Sequence, residues 1–199
     1  MYIDISRKDA KKIKVRTLIS IITIIVCAVI IHPTPGDSAE ESEFSYLYAI
    51  RGGILIHDIG ILGSSKENGV DFNLEVILKS PELLKCIWAP HPHLGIAIHS
   101  QGETSQIYSG LTWEEQFCNN FFINLGLGLT LHSGNLKCSH GCHDKELGSA
   151  LLFREALEAG YQINRHHSLS LIFFHISNAK LYSENDGMNH LGIRYGYSF

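Results

Sequence analysis

Beyond residue 44 the chain lacks any long window in which apolar residues recur at helical spacing, which excludes a mainly helical domain. It lacks a basic patch as well. With residues 1–39 removed, ten of the 16 Lys and Arg and 17 of the 20 Asp and Glu remain, a balance of −7 with His neutral. Such a chain offers no electrostatic footprint for nucleic acid. Nor is there an apolar run of the roughly 20 residues that a membrane-spanning helix needs. The longest, "TLISIITIIVCAVII", covers residues 17–31 and is shorter than that.

What surrounds this run gives it a meaning. Arg7, Lys8, Lys11, Lys12, Lys14 and Arg16 precede it, and "HPTPGDSA" follows and ends in small residues. Basic head, apolar middle and small-residue exit predict a secretory signal peptide over residues 1–39, cleaved after Ala39. The competing reading is an uncleaved membrane anchor, which the short run disfavours. Residues 40–199 then form one domain.

That domain is written in alternation. Segments of about ten residues carry apolar side chains at every second position and are separated by Gly, Asn, Ser and Pro. The expected strands are 45–57, 69–80, 87–100, 104–117, 120–133, 149–163, 167–178 and 189–199. In the last of them Leu191, Ile193, Tyr195, Tyr197 and Phe199 share one row, while His190, Gly192, Arg194 and Gly196 share the other. On 149–163, Arg154, Glu158 and Gln162 oppose Leu151, Phe153, Leu157 and Tyr161.

A secreted β-sandwich also alternates, but charged residues suit a polar lumen better than a dry core. The terminal aromatics fit an interfacial girdle. Only a closed barrel lets strands cross lipid without unpaired backbone groups. The expected fold is all-β, an eight-stranded antiparallel transmembrane β-barrel with both termini in the periplasm. Two features fit it poorly. The join near 101–103 is short for an outer loop, and Pro90 and Pro92 cannot donate to a ladder in the third strand.

On 167–178 the row Leu169, Leu171, Phe173 continues into His175 and Ser177, which puts these two polar residues on the lipid face near the outer end. Polar groups there are costly and raise a functional hypothesis. Positions i and i+2 of a strand lie about 6.6 Å apart along it on one face. An imidazole can therefore lean towards the hydroxyl and activate it as a nucleophile. Nearby Asn side chains or backbone N–H groups can hold an oxyanion. By itself H-x-S is a weak signal, since such a pair is usually just two surface residues.

The motif is longer here. "HISNA" at 175–179, "NDG" at 185–187, "LGIRYGY" and a terminal Phe resemble the lipid A 3-O-deacylases of the PagL type, with the match specific over 166–199. The resemblance implies an eight-stranded outer-membrane barrel acting as a serine esterase. Its substrate would be lipid A of lipopolysaccharide, from which it removes the 3-O-linked acyl chain without metal or other cofactor. It further implies that Ser177 is the nucleophile and His175 the base, with Asn185 assisting the oxyanion and Asn178 and Gly187 beside it. The family's third position carries Glu, and here that place is Asn189.

A second residue competes for the third role. A turn centred on Arg165 sets Glu155 directly across from His175, within about 4.5–5.5 Å between Cβ atoms. Glu155 would orient the ring and stabilise the imidazolium, or else ride up to the headgroups or meet a divalent cation. A carboxylate favours Glu155 over Asn189 for the larger contribution to turnover.

Other clusters carry several readings. "CSHGCHD" at 138–144 allows a Cys138–Cys142 disulfide, free thiols or a zinc site, with the disulfide favoured in an oxidising compartment. Cys86 and Cys118 end two neighbouring strands, where a second bridge fits. "PHPH" at 90–93 and His99 sit in scattered rows and read as lumen or interface filling. The run at 126–128 precedes no helix and is no phosphate cradle. The expected partners are the lipid A substrate, the outer-membrane assembly machinery and a second copy in a homodimer. The rival function is a non-catalytic small barrel for membrane integrity or adhesion. A third reading, a porin-like channel, is disfavoured because side chains fill an eight-stranded interior.

Overall fold

The computed structural model describes residues 46–63, 65–117, 120–137 and 144–199. The expected signal peptide lies outside them, as do Cys118, Cys138, His140, Cys142 and His143. Eight antiparallel strands close into a barrel in chain order. They are β1 (Leu47–Ile56), β2 (Val70–Leu78), β3 (His91–His99), β4 (Gln106–Phe117), β5 (Phe121–His132), β6 (Leu151–Gln162), β7 (His167–Ser177) and β8 (Met188–Ser198). Pairing of β1 with β8 closes the cylinder and leaves no free edge.

Alternation sorts the side chains as the sequence predicts. On β5, Leu125, Leu127, Leu129 and Leu131 stand on the outside, while Asn124 and Thr130 are buried within. The lumen is filled by a charge network centred on Glu158. Its carboxylate accepts from Arg194 Nε and Nη2 (2.9 and 2.6 Å), Arg51 Nη1 (2.8 Å), Asn124 Nδ2 (2.8 Å) and the Ser170 hydroxyl. Arg194 also reaches Glu75 at 2.9 Å, and Arg51 reaches Glu114 at 2.6 Å. Arg154 lies between the rings of Tyr108 and Phe174, 3.9 and 4.4 Å from their centroids. Removing one partner of such a buried set costs about 3–5 kcal/mol, because the others stay buried without it. Charged inside and apolar outside, this barrel is built to sit in lipid.

The third strand starts later than its pattern suggests. A 3₁₀ helix, Glu82–Ile87, follows β2, and Trp88 and Ala89 then take left-handed backbone (φ 64° and 48°). Pro90 has no N–H to extend the ladder, so β3 begins at His91. Pro92 is accommodated opposite Leu111. The short join after β3 is real, a turn through Gly102 at φ 83°. Cys86 lies on the 3₁₀ helix as an exposed free thiol rather than at a strand end, and Cys118, the other half of the expected second bridge, lies outside the described residues. The remaining connections on that side of the barrel, 57–69, 133–150 and 178–187, are long.

Candidate active site

Three neighbouring strands carry the candidate residues. β6 pairs Glu155 with His175 and Phe153 with Ser177, the register set by a turn centred on Arg165. β8 pairs Asn189 with His175. Glu155, His175 and Asn189 thus form one transverse row, with Ser177 two residues further towards the long loops. His175 and Ser177 are half-buried and Glu155 is exposed. Asn189, although on the lipid row, is 1% exposed and closed over by its neighbours.

The row decides what holds the ring. His175 Nδ1 lies 2.7 Å from Asn189 Oδ1, where an Nδ1–H donates to the amide oxygen and Nε2 keeps its lone pair. Glu155 stands across the strand as expected but makes no hydrogen bond or ion pair among the described residues. Of the two neighbours of His175 in this row, Asn189 is the one within hydrogen-bonding distance of the ring, and Glu155 is exposed.

The 178–187 loop shapes the other side. The chain leaves β7 through Ala179 and Lys180 in left-handed conformation (φ 51° and 62°), an uncommon setting for residues with a Cβ. Asn178 N–H donates to Asn185 Oδ1 at 3.0 Å. Since an N–H can donate only to the oxygen, this contact fixes the Asn185 amide and leaves its NH₂ pointing the other way. The Asn178 side chain is committed elsewhere, donating to Leu147 O and Glu184 O at 3.0 and 2.6 Å. It ties two outer loops together. Gly187 has φ 60°, and a Cβ there would lie 3.0 Å from His175 Cε1 and 3.5 Å from Nε2. Only glycine lets the loop close on the imidazole.

Ser177 Oγ accepts a long contact from Ala179 N–H at 3.5 Å, and among the described contacts its hydroxyl donates none to His175 Nε2. In an unliganded site the nucleophile–base contact is often loose and tightens on binding.

The loop is clamped from outside by residues that local pattern does not reveal. Asp186 Oδ2 accepts from Lys66 Nζ and from Glu146 N–H, each at 2.8 Å. Partial burial would raise its pKa, but these two donors hold it below the ordinary carboxylate range. The Lys66 contact spans 120 residues of chain, which no short motif could signal.

Behind the row, in the outer mouth of the lumen, lies a buried cluster of His57, Glu67, Asp71, His99 and His190. Ligand atoms of His57, Asp71 and His99 lie within 4.8 Å of one another. Their hydrogen bonds nevertheless speak for protons rather than a metal. His57 sits between Asp71 (2.9 Å) and Glu67 (3.0 Å), one carboxylate on each ring nitrogen. Burial would push His57 down, yet the two carboxylates raise its pKa to about 9. His99 Nδ1 accepts from Gln101 and Glu103 N–H, so Nε2 carries the ring proton and donates to Asn68 O at 3.1 Å. A ring so committed would have to become an imidazolate to ligate. The other early histidines are fillers as expected, with His93 bonded to Thr112 in the lumen and His91 stacked on Tyr48.

Comparisons with known proteins bear on the family and the fold. The family model described as lipid A 3-O-deacylase (PagL) matches residues 88–198. Lipid A deacylase PagL of Bordetella bronchiseptica is 30% identical over 79 residues, 40% of this chain and 42% of that protein, so the match spans less than half of the relative's length. Among solved structures, the crystal structure of the outer membrane enzyme PagL superposes with a TM-score of 0.59 at 18% identity. It covers 76% of this chain and 99% of that one, a likeness of fold. The family match takes in β3 to β8, including all of the row and the loop described above. This chain belongs to the lipid A 3-O-deacylase (PagL) family of outer-membrane barrels.

Proposed function

We propose that the protein is an outer-membrane serine esterase that removes the 3-O-linked acyl chain of lipid A. The observation that carries this reading is the polar row itself: a histidine oriented through Nδ1 by a buried amide, with a serine two residues away, facing lipid at the outer end of the barrel. A group reacting with an ester in the outer leaflet has to face lipid at that depth.

The steps need only side chains. Ser177 Oγ attacks the ester carbonyl while His175 Nε2 takes its proton. Asn189 Oδ1 holds the Nδ1–H and keeps the ring in the useful tautomer, as in Cys-His-Asn enzymes. The NH₂ of Asn185 and a backbone N–H of the loop near Gly187 face the developing oxyanion. Collapse expels the sugar hydroxyl, protonated by His175, and a water then releases the acyl group from Ser177 by the same route. An amide orients the ring without the charge that a carboxylate would lend to the imidazolium, so turnover is expected to be below that of relatives with Glu.

The same reading has residues 1–39 removed on export and Phe199 presented to the assembly machinery, with a homodimer as the further expectation. The test is mass spectrometry of lipid A from cells with and without the protein. Loss of one 3-O-linked acyl chain supports the reading, and identical lipid A in both would make the barrel non-catalytic.

A further inference from the structure

The opposite end of the barrel has a polar site of its own on the lipid row. The chain has two tryptophans, and both line one cleft of about 320 Å³ there. Trp113 is on the outer row of β4, and its Nε1 donates to Ile87 O at 2.8 Å, which fixes the ring beside the 3₁₀ helix. Trp88 is held out from the turn, 88% exposed, by consecutive left-handed residues. Strained backbone at two residues with Cβ atoms is kept only where surroundings demand it, and such strain often marks ligand sites.

Two carboxylates border the cleft. Glu114 points inward and is used up by the Tyr48 hydroxyl (2.7 Å) and Arg51 (2.6 Å). Glu115 faces out between Trp113 and Phe117, exposed and without a hydrogen bond or ion pair among the described residues. Its depth follows from its neighbours. Phe121, Tyr161, Tyr195, Tyr197 and Phe199 all sit at this end, the aromatic belt that marks the headgroup layer.

We infer that this cleft binds the ammonium headgroup of a zwitterionic phospholipid in the periplasmic leaflet. A carboxylate that shares one cleft with two indoles complements a cation by ion pairing and cation–π attraction, and repels an anionic headgroup. An aromatic anchor alone would need neither the carboxylate nor the strained presentation of Trp88. The inference is independent of any esterase activity at the other end.

Because the cleft holds both tryptophans, intrinsic emission reads it directly. The detergent-solubilised protein is titrated with dihexanoylphosphatidylethanolamine, dihexanoylphosphatidylglycerol and ethanolamine phosphate. A saturable emission change is expected with the first lipid only. Glu115→Gln should raise its midpoint about tenfold, the loss of one charge-assisted contact. Trp88→Phe, read through Trp113, should raise it about threefold, and heat-modifiability shows that each variant is folded. Equal midpoints for the two lipids, or an unchanged midpoint in folded Glu115→Gln, would overturn the inference. Saturation by ethanolamine phosphate at the same midpoint would overturn the assignment to a lipid.

Discussion

Glu158 and Glu155 stand three residues apart on β6, and the barrel wall gives them opposite surroundings. Glu158 faces the lumen and meets Arg194, Arg51, Asn124 and Ser170. Glu155 faces out beside His175, without a hydrogen bond or ion pair among the described residues. The two histidines of neighbouring strands differ in burial as well: His190 is fully buried, with Nε2 3.1 Å from Asp71, whereas His175 is half-buried on the lipid side. Polar groups that finish their hydrogen bonds within the wall hold the barrel together. Those left with unused capacity on the lipid side are where chemistry can occur.

The largest effect that would sharpen this contrast comes from Ser177→Ala. Lipid A deacylation should fall by about 10³-fold or more, while the barrel keeps its heat-modifiable mobility. Near-normal deacylation in this variant would remove the nucleophile from Ser177. In the lumen, Arg194→Met should instead cost about 3–5 kcal/mol of folding stability, read from urea titration in vesicles. A barrel of unchanged midpoint would mean that the interior network is dispensable.

Next comes the third role. Asn189→Ala should lower kcat about tenfold to a hundredfold, the loss of one hydrogen bond to a charged ring. Glu155→Gln should lower it less than about threefold, since no described residue hydrogen-bonds that carboxylate. If Glu155→Gln proved the more damaging, substrate binding must draw the carboxylate onto the ring. The smallest effect concerns pH. His57 is raised to about 9, so its stabilising contribution is full below its ordinary value near 6.5 and fades as pH rises through 9. Glu67 is depressed to about 2, overcoming its burial through His57 and Thr104, so its contribution is full above about 4.5 and fades as pH falls through 2. Hydrogen exchange of the 57–69 loop should therefore be slowest between about pH 4.5 and 6.5, after correction for the intrinsic rate. A protection factor still rising above pH 9 would rule out the His57 imidazolium.

Strand order, the lipid row and even the pairing of Glu155 with His175 were legible, because a period of two and one turn centre fix them. The partner of His175 was not. Register brings both Glu155 and Asn189 beside the ring, and only side-chain direction separates them. The third strand misled because His91 and Pro92 lie within the apolar run from Ile87, while the left-handed Trp88 and Ala89 carry no turn-forming residue type. The His57 cluster and the Lys66–Asp186 clamp join residues from distant loops, so no local pattern could have announced them.

The seam between β1 and β8 has a consequence for timing. β8 is the final strand and supplies both Arg194 and Asn189, one facing each side of the wall. Until it docks, Glu75 and Glu158 lack their principal cation and His175 lacks its amide. On the proposed reading, a half-built chain is thus unarmed as well as unstable, and completion of the cylinder brings His175 its hydrogen-bond partner. Assembly itself acts as the safety catch.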